Sequence, residues 1–367
     1  MRRMNQSLII TLAVVVVVGF LAGVVGELWL NSFLLPDPYL NFKNYSDLSS
    51  RLDELIQGGG ADVTLGQQDV AIEKAVSAAR PSVVGIYRYK GLTEKVSSTL
   101  TPADFLAAGA IVTNDGWIMT DRRVADNEKD KLWVVTGDRG VYLSERILLD
   151  TGLGLAMVKI KVDNLSVVDF SLRENLMVGQ AALLYGPNQR VASAMIKDKS
   201  FARLVGSADY LRGSEQFYKF IQLAEPVNKE FVGSPIVTMS GKMAGVVVDE
   251  SGLVAPVDHF IGFMKAALEN RKWIRPYLGV KFYDLSEVLN PQIADKRGSL
   301  ISANGIAEGS PAKDLLLPGD IIFKVENEEL NVNKNLSELV AQYLSGQAIK
   351  FAVKRGQDVV DVFVKLK

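Results

Sequence analysis

The chain has one histidine, His259, and no cysteine among its 367 residues. Thiolate chemistry, disulfides and cysteine-ligated metals are excluded, as are zinc sites built on several histidines. General-base catalysis by imidazole near neutral pH must use His259 or nothing. His259 follows Asp258, which is placed as the N-cap of a helix with Ile261, Met264 and Leu268 on one face, so a surface or cap-adjacent histidine is expected. Gly152-Leu153-Gly154 lacks the third glycine and the βαβ setting of a dinucleotide fingerprint. No metal or cofactor is implied. Lys+Arg is 41 and Asp+Glu is 42, a net charge of −1, so no basic excess exists to neutralise a phosphate backbone and nucleic acid is not the expected partner.

The elements that would carry any chemistry begin with an apolar run. Leu8 to Gly26 is 19 residues without a charge. As a helix it spans about 28 Å, close to a bilayer's hydrocarbon core. Arg2 and Arg3 precede it, which keeps that end cytoplasmic and places the bulk outside, with Trp29 at the interface. The run is longer than the h-region of a cleaved signal, the competing reading, and an uncleaved single-pass anchor is expected. Domain boundaries follow: residues 1–30 as cytoplasmic stub and transmembrane helix, 31–68 as tether, 69–274 as a β-rich domain and 275–367 as a second small domain. In the tether, Ser46 to Gln57 has helical spacing stopped by Gly58-Gly59-Gly60. A helix over Asp69–Ala79 ends at Pro81.

From Ser82 to about Val257, ten short β-rich runs alternate with turn signals such as Asn114-Asp115-Gly116 and Ser240-Gly241, which fits two small barrels. After Pro276 the sequence predicts five strands (278–283, 298–304, 320–327, 348–355 and 359–366) and helices over Pro311–Leu315 and Leu336–Leu344. Two further stretches carry no motif. Phe105 and Leu106 read as core or as a contact between protomers. Phe201 to Tyr218 reads as a loop and hairpin.

In order and spacing, these segments resemble the HtrA (Deg) family of exported trypsin-like serine proteases, from about Val70 to Lys367. Ala108-Gly109-Ala110-Ile111-Val112-Thr113-Asn114-Asp115-Gly116-Trp117-Ile118-Met119-Thr120-Asp121-Arg122-Arg123-Val124 is similar to the stretch holding the family's catalytic histidine, which falls at Arg123. Thr151-Gly152-Leu153-Gly154-Leu155-Ala156-Met157-Val158-Lys159-Ile160 is similar to its aspartate stretch, with the aspartate at Gly154. Glu230-Phe231-Val232-Gly233-Ser234-Pro235-Ile236-Val237 is similar to its nucleophile loop, with the serine at Val232 and the oxyanion-loop positions at Glu230 and Gly233. The resemblance implies a mainly β fold: a trypsin-like double β-barrel followed by a PDZ domain, behind an N-terminal transmembrane helix.

Acyl transfer needs a hydroxyl, a base and a group orienting the base. Valine, arginine and glycine at the three aligned positions predict a chain that is not an enzyme. Ser234 with nearby Lys229 is the alternative, a relocated centre. Its cost is a displacement of about 6.5–7 Å along a strand.

Arg275-Pro276-Tyr277-Leu278-Gly279-Val280, Gly309-Ser310-Pro311-Ala312 and Gly319-Asp320-Ile321-Ile322 resemble an HtrA-type PDZ domain. The resemblance implies a groove in which the amides around Tyr277, Leu278, Gly279 and Val280 receive a terminal carboxylate and the following strand pairs with an extended peptide. Leu336, Leu339, Val340 and Tyr343 would wall that groove or be core. The expected function is recognition of extracytoplasmic peptides or protein C-termini, with the barrels as scaffold. The expected assembly is a homo-oligomer (trimers being usual in the family) or a hetero-oligomer as a structural subunit that modulates an active paralogue.

Overall fold

The computed structural model describes residues 61–91, 99–203, 206–293 and 295–367, with Val15, Val16, Val18, Gly19 and Ala22. The expected anchor lies almost wholly outside the described residues, as does the Ser46–Gln57 helix. Among the described residues no helix is long and apolar enough to cross a membrane.

Two closed six-stranded barrels follow from the alternating strands and turns. The first comprises β1 (Val83–Arg88), β2 (Phe105–Ile111), β3 (Trp117–Asp121), β4 (Leu132–Val135), β5 (Val141–Asp150) and β6 (Leu155–Ile160), in the order β1-β2-β3-β6-β5-β4. The second comprises β7 (Ala181–Tyr185), β8 (Val191–Phe201), β10 (Phe220–Leu223), β11 (Pro235–Thr238), β12 (Met243–Val247) and β13 (Leu253–Pro256), in the order β10-β13-β12-β11-β7-β8. Closure leaves no unpaired strand edge in either barrel. Ile86, Ile111, Ile118, Ile147 and Val158 fill the first interior, and Leu184, Ile196, Ile221, Ile236 and Val254 the second. Each such side chain contributes about 1.5–3 kcal/mol of burial. Met119 and Met157 from the first barrel meet Met243 and Val246 from the second, with Phe260 from beyond β13, so one apolar layer joins them.

Helix α1 (Ala61–Ala79) starts earlier than the expected Asp69 and ends, as expected, ahead of Pro81. Ala75 and Ala79 pack on Val83, Ala108, Leu183 and Val237, touching both barrels. Phe105 joins this cluster and meets the Tyr87 ring edge-on at 5.5 Å. Leu106 packs against the first barrel's core.

Helix α2 (Ile261–Leu268) follows a 3-10 turn, Val257–His259. Its N-cap is Phe260, not the expected Asp258, whose carboxylate instead accepts the Arg173 N–H at 2.9 Å.

The C-terminal sheet comprises β14 (Val280–Asp284), β15 (Ser299–Ile306), β16 (Ile321–Val325), β17 (Glu328–Glu329), β18 (Ala348–Arg355) and β19 (Asp358–Lys365). All five expected strands are present, displaced by at most two residues at either end, and β17 is an addition. The sheet also takes in β9 (Leu211–Gly213), a strand from the barrel region, giving the order β19-β18-β16-β15-β14-β9. The expected helix over Pro311–Leu315 is a series of turns, with Asp314 at φ 66° breaking helical geometry. Helix α3 covers only Leu336–Val340, not the expected Leu336–Leu344. Beyond it, the Gln342 and Tyr343 N–H groups bond the carbonyls three residues back, Leu339 and Val340, so the chain tightens out of α-helical geometry.

Two buried ionic clusters fix the C-terminal domain to the second barrel. Arg173 is 1% exposed; its guanidinium lies 2.8 Å from the Glu338 carboxylate on α3 and donates to the Asn333 carbonyl at 2.7 Å. Lys219, also 1% exposed, lies 3.3 Å from Asp284 and 3.2 Å from Glu287 and donates to the Val332 carbonyl at 3.0 Å. Breaking one partner of such a pair strands a desolvated charge. Arg173→Met is expected to lower stability by about 3–5 kcal/mol, whereas Arg173→Met with Glu338→Leu recovers part of the loss. Urea midpoints of the two variants check this. A double variant no more stable than the single one would remove the pair from the account.

Candidate functional site

The three stretches aligned with a protease centre converge where the barrels meet. Asp121, at the end of β3, caps the Arg122–Val124 turn, accepting the Arg123 N–H at 2.6 Å and its Nε at 2.8 Å. The Arg123 side chain stays about half exposed. Gly154, at φ 73° between β5 and β6, accepts the Arg122 N–H at 2.9 Å. Gly233 lies across from them at φ 89°, so tightly held that a Cβ there would sit 2.7 Å from the Asp121 Cβ and 2.9 Å from that of Ala107.

The loop around Val232 is closed on itself. Val232 is buried and its N–H bonds the Lys229 carbonyl at 3.1 Å; the Gly233 N–H bonds Val247 and the Ser234 N–H bonds Phe231. Glu230 lies 3.3 Å from Arg190. Ser234 is fully buried: its hydroxyl accepts the Tyr185 N–H at 2.7 Å and donates to the Pro235 carbonyl at 3.0 Å. Lys229 is exposed. The Ser234–Lys229 arrangement that the sequence leaves open is therefore not made, because the hydroxyl serves as a clip between β7 and the start of β11.

The second candidate site is the loop before β14. Tyr277, half-buried, is tied to the C-terminus, its N–H donating to the Lys367 carbonyl at 2.8 Å. Gly279 adopts φ 75°, which turns successive amides to one side, and a Cβ there would lie 2.4 Å from the Ser310 Cβ. Those amides hold a carboxylate. Leu278 and Gly279 donate to Oε1 of Glu215 at 2.9 and 2.8 Å. The next amide, Val280, donates to Oγ of Ser214 at 3.0 Å, while Ser214 returns its own N–H to the Val280 carbonyl at 2.8 Å. The Ser214 hydroxyl donates to the same Oε1 at 2.7 Å. Hydrogen bonds to an ionised acceptor each contribute about 1.5–3 kcal/mol.

Leu336, Leu339 and Val340 are 0–2% exposed and pack in the core with Phe282, Ile301 and Phe351, one of the two places the sequence leaves open for them. Tyr343 packs, partly buried, against that core. The residues that reading the sequence missed are Ser214 and Glu215. Their only local signal is an acidic residue just after a short β-prone run in the unexplained Phe201–Tyr218 stretch.

His259 is not at the surface. It is 2% exposed, stacked on Phe217 at 4.1 Å between ring centroids, edge-on to Phe220 at 5.1 Å, with Nε2 3.3 Å from Glu338. The rings of the Phe201–Tyr218 stretch and β10 cover it. Burial holds its pKa below the ordinary 6.5, against the opposing pull of Glu338. The unfolded chain then takes up a proton at about 6.5 before the native one does, so stability falls as pH drops from there toward the depressed native pKa. Burial raises the pKa of neighbouring Asp258, which favours the native state on acidification from that raised value down through 3.8. His259→Phe keeps the ring packing and is expected to flatten the stability slope as pH falls below about 6.5. Urea midpoints across that range decide it, and an unchanged slope would sink the assignment.

A PDZ-domain family model matches residues 276–366. A probable periplasmic serine endoprotease, DegP-like, from Hahella chejuensis is 26% identical over 294 residues, 76% of this chain and 59% of that protein. Serine endoprotease DegS of Haemophilus influenzae is 21% identical over 311 residues, 81% of this chain and 88% of that protein. The chain spans 54–59% of the length of the DegP-like relatives from Hahella chejuensis and Pseudomonas putida. Among solved structures, the HtrA-type protease AlgW with a tripeptide covers 80% of this chain and 96% of its own, at 21% identity and a TM-score of 0.55; this match speaks for the fold. The expectation that the chain is not an enzyme is overturned by these matches, since the relatives it aligns with are named serine endoproteases. Two barrels joined at the convergence of three motif stretches, followed by a PDZ domain with its carboxylate loop, make this chain similar, in architecture and in sequence along most of its length, to the HtrA-type trypsin-like serine proteases.

Proposed function

We propose that this chain recognises extended peptides, above all free C-termini of proteins outside the cytoplasm, through its PDZ domain. The observation that carries this reading is the loop Tyr277–Val280, whose amides already bind a carboxylate oxygen at 2.8–2.9 Å. That chemistry recognises a terminal carboxylate without regard to side chains, while β14 offers backbone pairing to the residues before it. AlgW, one of the solved relatives, was determined with a tripeptide and with a decapeptide, which supports the same use here. Peptide capture is the step this reading shares with the endoproteases named above. Arg123, Gly154, Val232, Glu230 and Gly233 are assigned as the equivalents of the family's catalytic and oxyanion-loop positions, on the convergence described above. The family likeness extends the proposal to a homo-oligomer.

An oriented peptide library presented to the purified full chain tests the reading. Free-acid peptides are expected to bind about tenfold or more tightly than their carboxamides, the difference of at least one charge-assisted hydrogen bond. Equal affinity for the two forms, or none for either, would remove it.

Anchoring through Leu8–Gly26 belongs to the same proposal, on its length and the Arg2-Arg3 flank. The chain should stay in the membrane pellet after alkaline carbonate extraction. Release into the supernatant would count against the anchor.

A further inference from the structure

We infer that the PDZ groove already holds a ligand of its own chain: the segment Leu211–Glu215 occupies it in cis, with the Glu215 side chain standing in for a terminal carboxylate, and an incoming C-terminus must displace it. This inference rests on the peptide-recognition reading above and deepens it.

Three independent features of the segment reproduce what a bound peptide requires. The first is backbone pairing. β9 runs antiparallel to β14 with Gly213 opposite Lys281, Arg212 opposite Phe282 and Leu211 opposite Tyr283, so it completes the sheet edge that an extended peptide would otherwise add to. The second is the helix side. Ser337 on α3 donates to the Gly213 carbonyl at 3.1 Å, so the segment lies between strand and helix. The third is the carboxylate. Oε1 of Glu215 takes both loop amides, and Ser214 satisfies the third through its hydroxyl. A peptide ending at the place of Ser214 would bring its own carboxylate where the Glu215 side chain now sits.

The surroundings state the ligand's character. Arg212 stacks over the Tyr218 ring at 4.3 Å and lies 3.5 Å from Glu287, so a cationic side chain two positions before the end is favoured. Gly213 and Ser214 mark small residues at the last two positions. The cis ligand is also held from outside the groove. Arg275 donates to the Glu215 carbonyl at 3.1 Å and reaches Asp150 of the first barrel at 3.0 Å. Displacing the segment would therefore release a tie between the PDZ loop and the turn that leads to Gly154. A cavity of about 600 Å³ opens beside Glu215, Tyr277, Gly279 and Asn304, so the carboxylate clasp can be approached from solvent.

A receptor whose competent state is only fractionally open shows an apparent affinity reduced by that fraction. Emptying the groove must then tighten binding in trans. The probe is a fluorescein-labelled peptide of residues 207–214, SADYLRGS, as free acid, with its carboxamide as control. Binding is read by anisotropy on the full chain, on Glu215→Gln, which keeps shape and loses charge, and on Glu215→Ala. Both variants are expected to bind the acid about tenfold or more tightly than the parent. Equal affinities across the three proteins would overturn the inference while leaving the recognition reading intact. Loss of acid-over-amide preference in the variants would strike the recognition reading itself. A second arm needs no substitution: deuterium uptake over residues 211–217 of the parent should rise when saturating free acid is added. Binding without that rise would place the peptide elsewhere and end the proposal.

Discussion

The arrangement depends on two charges that have been taken out of water. Arg173 and Glu338 come from opposite sides of the junction between the second barrel and the C-terminal domain, and neither is more than 2% exposed. A buried pair of this kind contributes little net stability compared with apolar residues of the same size. It does impose a register, since the observed placement of α3 satisfies both ions together, and Glu338 also bonds His259 and the Asn335 N–H at the start of α3. The Lys219 cluster with Asp284 and Glu287 repeats the device one strand away. Between them these clusters hold the C-terminal sheet where β9 can reach its edge. Without that fixed distance the pairing of Gly213 with Lys281 would need to close a loop at an entropic cost of its own.

Why the barrels were readable from the sequence, while their contacts were not, follows from the range over which each is encoded. A strand such as Trp117–Asp121 is announced by its own residues and by the Asn114-Asp115-Gly116 turn before it. The five main PDZ strands were equally local. His259 was not, because its burial is created by Phe217, forty-two positions earlier, and by Glu338, seventy-nine positions later. Asp258 has a sound N-cap sequence, but a long-range acceptor site for the Arg173 amide took precedence over the local cap. Helix α3 stops at Val340 although its apolar spacing continues to Leu344: the next two amides close three-residue turns onto Leu339 and Val340, a tightening that side-chain spacing does not announce.

The protease-like stretches teach a different lesson. Their backbone pattern was legible, and the folded chain brings the stretches around Arg123, Gly154 and Val232 together through contacts that involve mostly main chain and glycine. The step from those three side chains to a non-enzyme was an inference from residue type alone, and the endoprotease relatives overturn it. Ser234 shows how little residue type decides: a serine beside a lysine in sequence is, in space, a buried hydroxyl shared between two backbone groups.

Glu215 was invisible for the most instructive reason. Reading the PDZ loop from its sequence asks what could come to it, and a carboxylate is the right answer. The loop's amides do not distinguish a chain end from a side chain, since both offer the same charged oxygen to the same donors. The supply in cis comes from Phe201–Tyr218, a stretch without a clear period of its own, because its order derives from what it binds. A glutamate held by neighbouring barrel residues is present at a high effective concentration, set by the few residues that separate it from Lys219 and its buried ion pairs. A diffusing chain end has to exceed that concentration or bind more strongly. The loop's selectivity for carboxylates therefore sets which ligands can compete, whereas the rigidity of the barrel contact sets how often they succeed.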